Sequence, residues 1–128
     1  MNTAIFTLMI MAILPLVWSW VSGYYRNKEL GGIDNKNPRE QNSRLTGPGA
    51  RAVAAQANAW EALIVYSAAL LAVTASAVPS SDYAMLSLVF LALRIAHGVF
   101  YIANLDILRS LAFVGGYGIC IYMFVLAL

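Results

Sequence analysis

Four long apolar segments constrain this chain more than any other feature of its sequence. They cover residues 3–23, 52–78, 83–103 and 107–128. Each has about the 20 residues that a helix needs to cross a hydrocarbon core of about 30 Å. Only helices and closed barrels satisfy every backbone polar group in lipid. We therefore predict an all-α membrane protein, a four-transmembrane-helix bundle forming a single domain over residues 1–128.

The composition excludes several other classes of protein. Charged residues make up 11% of the 128 residues, against about 25% in soluble domains. The net charge of +2 and the lack of a Lys or Arg run exclude a nucleic-acid partner. The single cysteine, Cys120, rules out an internal disulfide, and its apolar neighbours predict a buried or lipid-facing side chain. With His97 as the only histidine, we expect no metal site.

The first apolar segment has two possible interpretations, a signal peptide or a retained membrane span. No Lys or Arg precedes it, and Trp18 and Trp20 end it in place of a small-residue cleavage site. Tryptophans at this position are typical of a membrane interface. We therefore interpret the segment as the first span, with a possible kink at Pro15.

The one long polar segment covers residues 24–50 and is rich in Gly, Asn and Pro, which predicts an irregular loop. Its basic residues place it in the cytoplasm by the positive-inside rule, together with the turn at 104–106. Both termini then lie outside. We expect a multi-pass protein of a bacterial inner membrane. The basic residues of the loop are Arg26, Lys28, Lys36, Arg39 and Arg44.

Small residues mark two helices as sites of close packing. The second span contains ten Ala or Ser residues between Ala52 and Ala72. In lipid, small residues allow backbones to approach closely, so this span is predicted to lie centrally. Gly115, Gly116 and Gly118 predict another close contact on the fourth span. A bundle of only four helices in 128 residues is small, and its size also favours self-association.

Polar residues inside the spans are functional-site candidates, because burying them in lipid is costly. On the second span three of them share one helical face, and three more share a face on the third span. At about 1.5 Å per residue, Glu61 lies about 15 Å and Arg94 about 13 Å from the cytoplasmic end. The two groups are Arg51, Asn58 and Glu61, and Arg94, His97 and Tyr101.

The matching depths predict a Glu61–Arg94 ion pair, with Asn58 and His97 forming a layer nearer the cytoplasm. Two interpretations remain open. The network can be purely structural, since a buried ion pair adds little net stability. Alternatively, the excess of positive charge from the arginines in a partly dehydrated cleft favours an anionic ligand that enters from the cytoplasm.

At these residues the sequence resembles the MAPEG family, the membrane-associated proteins in eicosanoid and glutathione metabolism. The second span carries the pattern R-A-x-x-A-x-x-N-x-x-E from Arg51 to Glu61, and the third reads "RIAHGVFY". "NLDILRS" places Arg109 and Ser110 at the family's Arg-Ser pair. "GYYR" places Arg26 at its cytoplasmic arginine, and "NP" matches a loop element.

The resemblance implies a homotrimer with a glutathione site between neighbouring subunits. Arg26, Asn58, Glu61, His97, Tyr101, Arg109 and Ser110 match the family's glutathione contacts, and Arg51 and Arg94 belong to the same polar set. Arg109 would stabilise the thiolate, and Ser110 would donate a hydrogen bond to it. A hydrophobic small-molecule substrate, an electrophile or lipid hydroperoxide, would arrive from the membrane lipids.

Three positions depart from the better-known members of the family. Ala54 and Ala57 stand where those members carry basic residues, and Phe113 stands where some carry a tyrosine. Tyr117, one turn further on, is a possible replacement. The alternatives to a glutathione-dependent transferase or peroxidase are therefore a non-enzymatic lipid- or small-ligand-binding protein of the same fold, and a bundle with an unrelated role.

Overall fold

A computed structural model describes residues 2–128 as five helices, four of which are long and apolar enough to cross a membrane. The prediction of an all-α membrane bundle is confirmed for this part of the chain. The helices are α1 (Thr3–Leu30), α2 (Pro38–Ser43), α3 (Gly47–Ala75), α4 (Ser80–Ile102) and α5 (Asp106–Ala127).

The bundle is built around α3 and α4, which pack against each other and against both remaining long helices. α1 packs against α3 and α4 on one side, and α5 packs against the same two helices on the other. Among residues 2–128, α1 and α5 do not touch. The predicted central position of the second span is therefore confirmed, and one face of α3 and α4 is available to form a site with α5.

The helix bounds correct one prediction from the sequence. Residues 24–50 are not an irregular loop: α1 continues to Leu30, α2 occupies Pro38–Ser43, and α3 already begins at Gly47. Pro38 and Pro48 lie in the first turns of α2 and α3, where a missing backbone N–H costs nothing. Pro residues in this segment therefore begin helices. α1 also runs through Pro15 as one continuous helix.

Close packing of small residues holds α1, α3 and α4 together, as predicted. Ala52, Ala55, Ala59 and Ala69 of α3 are all fully buried. A Cβ atom on Gly98 of α4 would overlap the indole of Trp18.

The glycine prediction for α5 is confirmed at two of its three positions. A Cβ on Gly115 would lie 3.2 Å from the Leu93 side chain, and a Cβ on Gly116 would lie 3.5 Å from the Arg94 side chain. A Cβ on Gly118 would meet nothing within 4 Å.

The connection between α1 and α3 is ordered by side-chain hydrogen bonds. Gln41 is buried; its Nε2 donates to the Gly32 carbonyl at 2.7 Å, and its Oε1 accepts from the Asp34 N–H at 2.9 Å. Glu29 Oε1 accepts from both the N–H and the hydroxyl of Thr46, the N-cap of α3. A carboxylate at a helix N-terminus is favourable, so these bonds fix the start of α3.

Candidate functional site

Arg94 of α4 is the centre of a polar network inside the bundle. Only 3% of its surface is exposed. Its Nη2 donates to the side-chain oxygen of Asn58 on α3 and lies 3.5 Å from the Asn58 carbonyl. The same nitrogen lies 3.4 Å from Nδ1 of His97, one turn along α4. Three of the residues predicted from their helical faces therefore meet at one depth.

The predicted ion pair between Glu61 and Arg94 is wrong in its geometry. Asn58 lies between the two groups, and its amide nitrogen donates to Glu61 Oε2 at 3.4 Å. Asn58 precedes Glu61 by one turn of α3, and its side chain is half-buried, whereas the Glu61 side chain is exposed. The Asn58 amide therefore links the carboxylate to Arg94 by hydrogen bonds.

A cavity of about 420 Å³ opens beside this network, between α3, α4 and α5. We call it the polar mouth. It brings together five of the residues predicted to bind or activate glutathione. Its lining residues are Asn58, His97, Tyr101, Arg109, Ser110, Phe113 and Val114.

Arg109 is held at the polar mouth by an aromatic ring. Its guanidinium carbon lies 4.5 Å from the centroid of the Tyr101 ring, within the range of a cation–π contact. Tyr101 in turn meets the His97 ring edge-on at 5.7 Å between centroids. The Arg109 guanidinium thus packs on the Tyr101 ring, and the His97 ring packs against that tyrosine.

Arg51 lies just outside the polar mouth and has a structural partner. Its Nε donates to the carbonyl of Ile102 at 3.0 Å, at the last turn of α4. A cation at a helix C-terminus stabilises the carbonyls that lack a helical partner. Arg51 also shares a small cleft with Tyr101 and Arg109, so its positive charge still contributes to the field at the mouth.

A second cavity, of about 310 Å³, continues from the polar mouth toward the opposite end of the bundle. We call it the inner chamber. It shares Asn58 and Phe113 with the mouth, so the two cavities adjoin. Three polar side chains line it: Asn58, Glu61 and Arg94. The rest of its wall is apolar or aromatic and consists of Ala62, Val65, Phe90, Phe113, Tyr117 and Cys120.

Arg26 is the predicted site residue that lines neither the mouth, nor the inner chamber, nor the cleft at Arg51. It lies on α1, beside Gly23, and α1 does not touch α5 within residues 2–128. Its Nε is buried without a hydrogen-bond partner among the described residues. Glu61, Asn58 and Arg94 line the inner chamber, while His97, Tyr101, Arg109 and Ser110 line the mouth.

The amino-acid sequence that forms these helices and cavities matches a family model. The model described as the MAPEG family matches residues 3–128. The chain belongs to the MAPEG family. Searches of curated proteins and of solved structures give no match. The four helices that are long and apolar enough to cross a membrane agree with this membership.

Sequence reasoning did not find the inner chamber. Phe113, Tyr117 and Cys120 follow Arg109 at helical spacing and share one face of α5. The sequence analysis named these three residues singly, and continuing the face from Arg109 would have joined them into one wall. Of the two positions predicted for Cys120, buried or lipid-facing, the structure shows the buried one, since none of its surface is exposed.

Proposed function

We propose that this chain is an integral membrane enzyme, a glutathione-dependent transferase or peroxidase that acts on hydrophobic electrophiles. The observation that supports it best is the polar mouth. There Arg109 and Ser110 face one cavity with Asn58, His97 and Tyr101, next to an apolar chamber inside the bundle. A charged thiol and an apolar partner would meet between them.

Charge favours an anionic ligand at the polar mouth. Arg51, Arg94 and Arg109 lie at or next to it, against two carboxylates: Glu61 in the inner chamber and Asp106 in the small cleft that Arg51 and Arg109 share. The balance at the mouth is therefore positive. Glutathione has two carboxylates and a net negative charge. Cavities lined by one sign of charge concentrate ligands of the opposite sign, so glutathione would enter from the end of the bundle where Arg109 lies.

Arg109 and Ser110 would activate the thiol. A thiolate is the reactive form of a thiol, and a neighbouring cation stabilises it at neutral pH. The proton would go to water at the open mouth. In transfer, the sulfur forms a bond to the electrophilic carbon, and the leaving group departs with its electron pair.

With a hydroperoxide, the thiolate would attack the terminal oxygen. The O–O bond breaks, the sulfur takes the terminal OH to become a sulfenic acid, and the alkoxide that leaves takes a proton from water to become the alcohol. A second glutathione then yields the disulfide and water.

We further propose that the active form is a homotrimer. Glu61 is exposed on a membrane span in the single protomer, and a carboxylate facing lipid tails is costly. A neighbouring protomer would cover it. Arg26, which does not line the mouth of its own protomer, would then reach the mouth of the neighbour, in a glutathione site between subunits.

The orientation we propose places the α1–α3 connection in the cytoplasm of a bacterial cell, on the inner membrane. Its support is the excess of Lys and Arg between Arg26 and Arg51. In a Cys120→Ser background, a Ser43→Cys variant should resist a membrane-impermeant maleimide in intact cells and react after lysis. Ready labelling of intact cells would reverse the topology.

A non-enzymatic protein that binds lipids or small ligands is the second candidate. The observation that favours it is the absence of three polar groups: Ala54, Ala57 and Phe113 carry none. Phe113 moreover lies between the mouth and the chamber, where a hydroxyl would help a thiol react. Binding in the chamber needs none of these groups.

One titration separates the two candidates. Glutathione is added to the detergent-solubilised oligomer, thiolate is followed by its near-ultraviolet absorbance, and turnover of 1-chloro-2,4-dinitrobenzene is measured in parallel. We expect a thiolate signal that Arg109→Ala abolishes and that Arg39→Ala, a change of an exposed α2 arginine, leaves intact. No thiolate and no turnover at millimolar glutathione would exclude the enzyme.

A further inference from the structure

We propose that the outward face of α1 binds an anionic phospholipid, with Lys28 at its phosphate and with Tyr24 and Trp20 along its glycerol and ester groups. The inference concerns the surface of the bundle and does not depend on the proposed glutathione chemistry. Seven exposed residues share this face, and we call them the α1 stripe: Ile5, Met9, Ile13, Leu16, Trp20, Tyr24 and Lys28.

The α1 stripe changes in chemical character along the helix. Its residues recur every three or four positions, which places them on one side of a helix. From Ile5 to Leu16 the exposed side chains are apolar. Trp20 and Tyr24 follow, with 70% and 60% of their surfaces exposed, and Lys28 comes last. A phospholipid has the same order of groups: acyl chain, ester and glycerol, then phosphate.

The α1 stripe faces away from the rest of the protomer. Met11 and Trp18 are buried on the opposite side of the helix, where α1 packs against α3 and α4. Arg26, for which we propose contact with a neighbouring protomer, lies about 160° around the helix from both Tyr24 and Lys28, at about 100° per residue. The stripe is therefore open to lipid in the protomer, and a neighbour at Arg26 does not cover it.

Lys28 holds its ammonium toward the membrane. Its Nζ lies 5.9 Å from the centroid of the Tyr24 ring, one turn nearer the apolar half of α1, within the range of a cation–π contact. Lysines near the ends of membrane helices usually extend the ammonium away from the hydrocarbon. A role at the free carbonyls that end α1, around Leu30, would also need the ammonium on the far side of Lys28. Neither role explains the observed direction.

The depth of this ammonium matches the phosphate layer of a bilayer. The hydrocarbon core is about 30 Å thick and the whole bilayer about 40–45 Å, so each headgroup layer spans about 5–8 Å. Tryptophan is typical of the boundary between the two. Tyr24 lies about 6 Å and the Lys28 Cα about 12 Å beyond Trp20 along the helix axis. An extended Lys28 would leave the headgroup layer, whereas Lys28 folded onto Tyr24 keeps its ammonium inside it.

Charge complementarity selects an anionic lipid. Phosphatidylglycerol carries a phosphate without a compensating cation, whereas phosphatidylcholine carries its own. Glu29, the carboxylate next to Lys28, accepts hydrogen bonds from the N–H and the hydroxyl of Thr46 at the start of α3, so its carboxylate is directed at α3. One lysine near the membrane surface favours an anionic lipid about fivefold.

Tryptophan quenching tests the proposal on the reconstituted oligomer. In a Trp60→Phe background the remaining tryptophans are Trp20 and the buried Trp18. Vesicles contain phosphatidylglycerol and phosphatidylcholine in a fixed ratio, and one lipid or the other is brominated near the head of an acyl chain. Bromine quenches tryptophan on contact. We expect phosphatidylglycerol to occupy the position at Trp20 about fivefold more readily than phosphatidylcholine. Equal occupancy by the two lipids, or no quenching by either, would overturn the proposal.

Matched variants assign the preference to the α1 stripe. Lys28→Gln should abolish it, whereas Lys28→Arg keeps the charge and should keep the preference. Lys36→Gln is the control, because it removes an exposed cation from the α1–α3 connection and should change nothing. A preference that survives Lys28→Gln, or that Lys36→Gln reduces equally, would overturn the proposal, since the net charge of the connection would then attract the lipid.

Discussion

Arg94 on α4 donates to the side-chain oxygen of Asn58 on α3, and this amide stands between the arginine and the carboxylate of Glu61. The arrangement joins the two central helices at one depth. It also means that the buried cation depends on a neutral partner. Mutation of Asn58, which removes the partner of Arg94, should therefore destabilise the protein far more than mutation of Glu61.

Removing the Asn58 side chain should destabilise the bundle strongly. Asn58→Ala would leave Arg94 buried without its main partner, and a buried donor left without its hydrogen bond costs about 1–3 kcal/mol, and more when it is charged. The double change Asn58→Leu/Arg94→Met should recover most of the loss, because neither polar group then remains. Thermal unfolding in detergent measures both, and simply additive losses would show that the contact does not couple the helices.

Glu61→Gln should lower the thermal stability of the protomer much less than Asn58→Ala. The carboxylate is exposed and its contact with Asn58 is long, at 3.4 Å. A hydrogen bond of this kind contributes about 1 kcal/mol at most. The comparison uses the same unfolding measurement on monodisperse protein. A loss of thermal stability as large as that of Asn58→Ala would instead support the direct Glu61–Arg94 ion pair that the sequence predicted.

The outcome at Asn58 shows where sequence reasoning reaches its limit. Helical spacing correctly placed Asn58, Arg94 and His97 on facing stripes, because the rise and twist of a helix are fixed. The predicted partner of Arg94 was wrong. Formal charge favoured Glu61, whereas the directions of the side chains decide which α3 residue reaches Arg94. The inner chamber was missed for the same reason: a cavity depends on which side chains fail to fill a space, and no periodicity records that.

Two glycines in the spans should respond oppositely to alanine. Gly98→Ala would drive a Cβ into the Trp18 indole, and forcing atoms into a packed interface costs about 1–3 kcal/mol or more. Gly118→Ala adds its Cβ to open space, and should be neutral or stabilising, since alanine is the better helix former by about 1 kcal/mol. Thermal unfolding of both variants checks this. Equal losses would mean that helix backbone strain, rather than the Trp18 contact, sets the cost.

The α1–α3 connection should loosen in acid because of Asp34. Its Oδ1 accepts from the backbone N–H groups of Asn37 and Lys36 at 3.0 and 2.9 Å, and these bonds lower the pKa of the carboxyl below its ordinary value of 3.8. Because the pKa is lowered in the folded protein, the ionised Asp34 carboxylate stabilises the folded connection fully above pH 3.8. This stabilisation is lost as the pH falls through the native pKa. Limited proteolysis between residues 31 and 37 should therefore accelerate only below pH 3.8, as the Asp34 carboxyl is protonated.

The matched variants for this connection are Asp34→Ala and Lys36→Ala. The first removes the acceptor and should make cleavage fast and independent of pH. The second changes an exposed side chain but keeps the backbone N–H that Asp34 binds, so its cleavage profile should follow the native one. A pH-dependent profile in Asp34→Ala would assign the acid response to another group.

The Tyr101 ring should set how well Arg109 serves a thiolate. The guanidinium lies 4.5 Å from the ring centroid, and a contact of this kind is worth about 0.5–1 kcal/mol at a partly exposed site. Tyr101→Leu should therefore reduce the glutathione thiolate signal by a few-fold without abolishing it, unlike Arg109→Ala. Tyr122→Leu, at an exposed position on the same helix as Arg109, is the control and should keep the full signal. Complete loss in Tyr101→Leu would mean that the tyrosine hydroxyl, and not the ring beneath Arg109, holds the thiolate, and Tyr101→Phe would then lose the signal as well.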